Sequence, residues 1–376
     1  MELELYIHIP FCVRKCAYCD FLSFEAGGDR QEAYVKALIR EIHARGRDPR
    51  VQGKTVSSIF FGGGTPSILP PEWIREILDT VNVSFPVERD AEISLESNPG
   101  TLDTDKLNMY RKAGINRLSL GCQSTEDREL QLLGRIHTMD EFLESFARAR
   151  EAGFSNINVD LMSGLPGQDS GSWETSLRRI AELRPEHISA YSLILEEGTP
   201  MYRQREQLAF PEEEEERRMY EDTCRVLKEY GYHQYEISNY CLEGKECRHN
   251  LGYWTGTEYL GLGLGAASLL ENRRFSNCTD LLQYLSLADQ PERLEQEAEL
   301  LTEEDRMGER MILGLRLASG VSDSAFKQEF GRSLTEQYGS VIEKYIGWKL
   351  LEWTGDRLRL TREGISLSNQ VMAEFL

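Results

Sequence analysis

LYIHIPFCVRKCAYC, residues 5–19, runs from a short alternating strand into a loop that carries three of the chain's eight cysteines. The spacing is Cys12-x-x-x-Cys16-x-x-Cys19. Cubane [4Fe–4S] clusters are held by cysteine thiolates. Three thiolates on one loop can cap three irons and leave the fourth without a protein ligand, open to chelation by an amine and a carboxylate. Two other readings of the spacing stay open. A tetrahedral zinc site would need a fourth ligand, and His8 is close in sequence but lies on the incoming strand. Three thiols without any metal would show the same letters.

Outward from this loop, apolar strands alternate with amphipathic helices. Strands are expected at LYIHI from Leu5, VSSIFF from Val56, EISLES from Glu92, RLSLGC from Arg117, NINVDLM from Asn156 and HISAYSL from His187. Helical patterns lie between them, such as EAYVKALIREI from Glu32 and EFLESFARARE from Glu141. The helix after the first strand is delayed by the cysteine loop. Six βα units in series predict parallel strands with crossover helices, an α/β fold. Length alone does not separate an open sheet from a partial barrel. In either one, ligands lie at the carboxyl ends of the strands, where every candidate motif falls.

Composition narrows the function classes. With 376 residues and 40% hydrophobic content, the chain suffices for one large and one smaller domain. A formal net charge of −20 argues against phosphate backbones and anionic lipid as primary partners. The acidic run Glu212–Glu216 reads as a solvated helix start. The first residues show no basic, apolar leader, and no apolar run reaches 18 residues, so neither a signal peptide nor a transmembrane helix is expected. The cysteines then read as reduced and cytosolic, the clustered three serving a metal or redox chemistry rather than disulfides.

Polar residues collect at the strand ends. Gly62, Gly63, Gly64, Thr65 and Pro66 follow the second strand, either as a tight turn or as backbone that lets a ligand come close. Glu96 ends the third strand, Gln123 the fourth, and Asp160 lies on the fifth. Arg135, in LGRIH, has the fork that binds a carboxylate. Beyond Ser238 the rhythm changes. Asn239–Gly265 reads as a loop rich in Cys, Gly and aromatics. GLGLGAAS from Gly261 is backbone packed closely against the barrel mouth, not a dinucleotide fingerprint. DQPERLEQEAEL from Asp289 reads as a linker or surface helix. The tail from Leu301 reads as helices, a short strand RLRLT and a last helix.

The cysteine spacing after a first strand, with YIHIPFC, Tyr18 and GGGTPS, resembles the radical-SAM superfamily. Within it the chain is similar to the oxygen-independent coproporphyrinogen III oxidase-like proteins over most of its length. The resemblance implies a partial (β/α)6 TIM-like barrel over residues 1–237, a connecting segment over 238–290 and a smaller C-terminal α+β, winged-helix-like domain over 291–376. It implies a [4Fe–4S] cluster on Cys12, Cys16 and Cys19 and reductive cleavage of S-adenosylmethionine. Tyr6, Gly63 and Glu96 match positions that contact this S-adenosylmethionine. Tyr18, Gly64, Thr65, Gln123, Arg135 and Asp160 match positions around a second S-adenosylmethionine in the oxidase, and Ile194 matches by position only.

Two departures from the oxidase pattern resemble the heme-chaperone branch instead. Phe21 stands where the oxidase carries a further cysteine, and only eleven residues precede Cys12. In CRHNLGYW, residues 247–254, His249, Asn250, Tyr253 and Trp254 resemble that branch's H-N-x-x-Y-W motif, whose histidine is the proposed heme ligand. By chemistry alone His249 reads rather as a loop histidine with ordinary partners, a reading that the resemblance reverses, and Cys247 is a second candidate ligand for heme iron. The branch implies a cytoplasmic carrier, in contact with the inner face of a membrane, that hands heme to an acceptor such as a membrane cytochrome. It leaves room for an oligomer. Two enzyme readings stand beside it: a radical decarboxylase acting on coproporphyrinogen III, and a radical-SAM enzyme for some other substrate.

Overall fold

The computed structural model describes residues 1–376. Its first strand, β1 (Glu2–Ile9), explains the rest by its alternation. Leu3, Leu5, Ile7 and Ile9 point outward and are fully buried under the helices, each worth about 1.5–3 kcal/mol by area removed from water. Glu4, Tyr6 and His8 occupy the opposite face, as period-two geometry requires. β2 (Thr55–Gly63), β3 (Val87–Ser97), β4 (Arg117–Gln123), β5 (Ile157–Ser163) and β6 (His187–Ser192) follow in parallel, in the order β1-β2-β3-β4-β5-β6. All six expected strands form. The interior of the curved sheet is polar, with Ser58 opposite Glu92, Ser94 opposite Arg117 and Asn158 opposite His187 in register. The apolar core lies between sheet and helices.

The sheet does not close. On one side β6 pairs antiparallel with β8 (Asn239–Cys241), which pairs with β7 (His233–Gln234). On the other, β9 (Tyr259–Leu262) runs parallel beside β1 and continues antiparallel through β10 (Ala267–Leu270), β11 (Arg273–Asn277) and β12 (Glu295–Leu300). Residues 238–290, read from sequence as a connecting segment, contribute strands β8 to β11 to this sheet. The stretch from Asp289 is neither linker nor helix: after a turn it forms edge strand β12. Its exposed acids keep that edge from pairing further, while Glu295 turns inward to Arg45, Arg50 and Arg273 at 2.6, 2.6 and 2.9 Å. Four of its six residues are Glu or Gln, and no buried apolar alternation marks it as a strand.

A second core gathers residues between Met307 and Phe375. The helices Glu303–Gly314, Asp323–Phe330 and Leu334–Gly347 pack there with a three-stranded sheet of β13 (Val321–Ser322), β14 (Leu351–Thr354) and β15 (Arg357–Leu360). This is the winged-helix-like part. No helix is long and apolar enough to cross a membrane.

Candidate metal and cofactor site

The cysteine loop is tied down at both ends. Cys12 N–H donates to Phe24 O at 3.1 Å and Phe24 N–H to Pro10 O at 2.9 Å. Phe11, fully buried, packs edge-on against Phe24 and Tyr34. Mid-loop, Ala17 N–H donates to Leu133 O at 2.9 Å and Arg14 to Gly134 O at 2.7 Å. The tip is thereby fixed against the segment that carries Arg135. Thr65 N–H donates to Phe11 O at 2.7 Å, and a Cβ on Gly64 would lie 2.5 Å from that same oxygen. One reason for the glycine run is thus the close seat it gives the loop.

Cys12, Cys16 and Cys19 open into one cavity of about 590 Å3 at the carboxyl ends of the strands. Tyr18, Gly63, Gly64, Thr65, Glu96, Gln123, Arg135, Asp160 and Ile194 line it too. Tyr6 is not in its wall; its hydroxyl meets His8 Nδ1 at 3.1 Å. His8 Nε2 meets Leu22 O at 2.9 Å, so this imidazole is committed to holding the loop.

The thiols suit a cluster better than a single ion. All eight cysteines are free. Tetrahedral zinc, with Zn–S of about 2.3 Å, would draw three sulfurs to about 3.8 Å of one another. The group of three ligand atoms that does lie within 4.8 Å is elsewhere, at His233, Cys241 and Glu246. Thr65 Oγ1 donates to Cys12 Sγ at 3.8 Å and Arg135 Nη1 to Cys16 Sγ at 3.7 Å.

Glu96 faces these sulfurs across the cavity. Gly63 N–H donates to its Oε2 at 3.2 Å. Burial, helped by the Asp160 charge, pushes its carboxyl up to about 8. Gly63 has φ +107°, and a Cβ there would overlap the His8 ring, so only glycine presents this N–H without strain. Asp160 is also raised by burial, against hydrogen bonds from Asn158 at 2.7 Å and Ser119 at 3.2 Å. Gln123 accepts from Tyr191 at 2.8 Å and sits at φ +69°, a conformation non-glycine residues rarely adopt. Sequence reading missed Asn98, which donates to Thr65 Oγ1 at 2.8 Å and accepts from Arg135 Nη2 at 2.6 Å. It lies two residues past Glu96 in LESNPG, and nothing in the spacing marks it.

His249 lies elsewhere. It sits on the helix Arg248–Thr255, which closes the amino-terminal end of the barrel interior. The Glu92 carboxylate accepts from Arg248 and His249 N–H, at 3.2 and 3.4 Å, and from the Cys247 thiol at 3.3 Å, capping this helix. The His249 ring is 1% exposed and stacks on Phe60. Nδ1 meets Ser58 Oγ at 2.8 Å, and Nε2 meets Tyr253 OH at 3.2 Å. Burial lowers its pKa to about 3, leaving the neutral imidazole a metal requires, with both nitrogens engaged. A Cβ on Gly252 would overlap the Glu4 carboxylate; the helix seats on β1 because Gly252 has none.

A parallel half-barrel whose mouth gathers three loop thiols, a buried carboxylate and a guanidinium defines a radical-SAM protein. Residues 6–180 match the Radical SAM superfamily and residues 301–367 the HemN C-terminal domain. The chain is 38% identical to "Heme chaperone HemW" of Bacillus subtilis (strain 168), over 99% of this chain and 98% of that protein. It is 40% identical to "Heme chaperone HemW" of Escherichia coli (strain K12), over 70% and 69%. The solved structure of coproporphyrinogen III oxidase (HemN) from Escherichia coli is similar with a TM-score of 0.86 at 25% identity, covering 99% of this chain and 89% of that one. The chain belongs to the HemW family.

Proposed function

We propose that this chain is a cytoplasmic radical-SAM heme chaperone. It carries a [4Fe–4S] cluster on Cys12, Cys16 and Cys19, binds S-adenosylmethionine in the barrel mouth, and binds heme for delivery to an acceptor protein such as a membrane cytochrome. One observation carries the first half: three free thiols and the Glu96 carboxyl share the wall of one cavity. A bound, reduced cluster supplies the electron that cleaves the S-adenosylmethionine sulfonium. The chain's part is positional. Gly63 aims Glu96, which in its carboxylate form pairs with an ammonium. Arg135, held by Asn98 and the Gly121 carbonyl at 2.6 and 2.7 Å, keeps a cation beside Cys16 and a carboxylate-binding fork toward the cavity.

The chaperone reading is preferred to the oxidase because relatives of that name align along nearly the whole chain. Phe21 adds to this, standing at the cavity mouth, 69% exposed, where the oxidase pattern has a cysteine. His249 is its heme ligand, reached once Tyr253 moves off Nε2. Anaerobic reconstitution followed by hemin titration and coproporphyrinogen turnover on one sample tests the assignment. Saturable hemin binding without turnover is expected; steady conversion of propionates to vinyl groups would reverse the ranking, and iron near zero per chain would end it.

A further inference from the structure

A second cavity, of about 510 Å3, opens between the helix Arg248–Thr255, the strands β9–β11 and the helix Glu303–Gly314 of the second core. Its size is that of small-molecule sites. Tyr253, Trp254 and Tyr259 form aromatic wall, and Trp254 Nε1 is buried without a hydrogen-bond partner. Arg274, Arg306 and Arg310 also line it. Glu309 pairs with Arg274 at 2.6 Å, and Glu329 with Arg306 and Arg310 at 3.2 and 2.5 Å. Glu258, the remaining acid of the wall, is tied to Lys54. Three guanidiniums thus face two carboxylates, a cationic excess in a chain of net charge −20. Arg306 donates to Glu329, and Arg274 donates to Glu309 with the Tyr259 hydroxyl beside it, which leaves several of the five N–H groups on each guanidinium for a ligand.

The link to His249 is direct. Tyr253 is the hydrogen-bond partner of His249 Nε2, its ring packs edge-on against the imidazole with centroids 5.0 Å apart, and the same residue lines the cavity. We infer that this cavity, formed jointly by the barrel edge and the C-terminal domain, seats a planar macrocycle bearing carboxylates, with the carboxylates on Arg274 and Arg306 and with Tyr253 as the door between the macrocycle's metal and His249. The inference rests on the heme reading and gives it a place: aromatic faces for the ring, guanidiniums for the propionates, and one movable hydroxyl before the imidazole.

The test uses the full, cluster-reconstituted chain, titrated anaerobically with hemin and with hemin dimethyl ester, whose propionates carry no charge. Removing one charge-assisted hydrogen bond weakens binding about tenfold. The wild type is expected to bind hemin at least about tenfold more tightly than the ester. The pair R274Q/R306Q removes that preference and leaves ester affinity unchanged, while R274K/R306K keeps most of it, separating charge from any loss of fold. Tyr253→Phe tightens hemin binding, since the bond that blocks Nε2 is gone; weakening would make Tyr253 itself the ligand and overturn the door. Equal affinity of the wild type for hemin and ester, or hemin binding indifferent to R274Q/R306Q, overturns the placement and leaves the heme reading standing. No saturable hemin binding by the wild type overturns both.

Discussion

Replacing Glu96 by Gln should stabilise the protein while removing a group that S-adenosylmethionine needs. The Glu96 carboxyl is raised from 4.5 to about 8, chiefly by burial. In the unfolded chain it ionises near its ordinary value; in the folded chain it keeps its proton until about pH 8. Between these values unfolding releases a proton, so folded-state stability falls by about 1.4 kcal/mol for each pH unit. At pH 7, about 2.5 units above the unfolded value, the accumulated cost is about 3 kcal/mol and is complete near pH 8. Glutamine has nearly the same shape, can still accept from Gly63 N–H, and does not titrate. Urea unfolding of the cluster-free, reduced chain, followed by tryptophan fluorescence from about pH 5.5 to 8.5, reads the difference. E96Q should gain on the wild type as pH rises and stop gaining near pH 8. Parallel stability curves would refute this account of Glu96. In the cluster-loaded protein, S-adenosylmethionine affinity of the wild type should rise up to tenfold per pH unit below pH 8, and that of E96Q should not respond.

The other expectations concern the loop, the fork and the His249 helix. Serine at any one of Cys12, Cys16 or Cys19 should lower iron per reconstituted chain with little loss of thermal stability, because the loop is held by backbone bonds and Phe11 rather than by the thiols. Arg135→Gln should weaken S-adenosylmethionine binding at least about tenfold by calorimetry, the yield of one charged hydrogen bond. Gly252→Ala should cost about 1–3 kcal/mol as the helix lifts off Glu4, seen as a lower midpoint in urea. His249→Gln should flatten the acid limb of the stability curve: the imidazole is held neutral to about pH 3, so the wild type loses about 1.4 kcal/mol per unit as pH falls below 6.5, and an unchanged limb would show that His249 is not buried neutral.

Much of the barrel was legible because its strands report twice, outward with Leu3, Leu5, Ile7 and Ile9 and inward with polar groups that no ordinary core would hold. The cluster loop was legible from three cysteines in eight residues. Of the residues that resemblance marked for S-adenosylmethionine, all but Tyr6 line the mouth cavity; Tyr6 matches by position but is turned to His8. What escaped depends on partners far away in sequence. β9 is a strand because β1 lies beside it, and β12 because Arg45 and Arg50 receive Glu295. The helix of His249 has no apolar periodicity to announce it, and Gly252 weakens its helical propensity further; the value of that glycine is the space it leaves for Glu4. Asn98 is informative only once Thr65 and Arg135 are seen on either side of it.

Strand β3 carries Glu92 and Glu96 on the same face, one closing the helix of His249 and the other looking onto the thiols. Four residues of extended chain span only about 13 Å. Glu92 lies at the middle of the strand and Glu96 near its carboxyl end, so the two carboxyls are fixed along one short stretch of backbone. The seat of the His249 helix and the carboxyl that faces the thiols are therefore set by one backbone segment, at a separation that neither side chain can change alone.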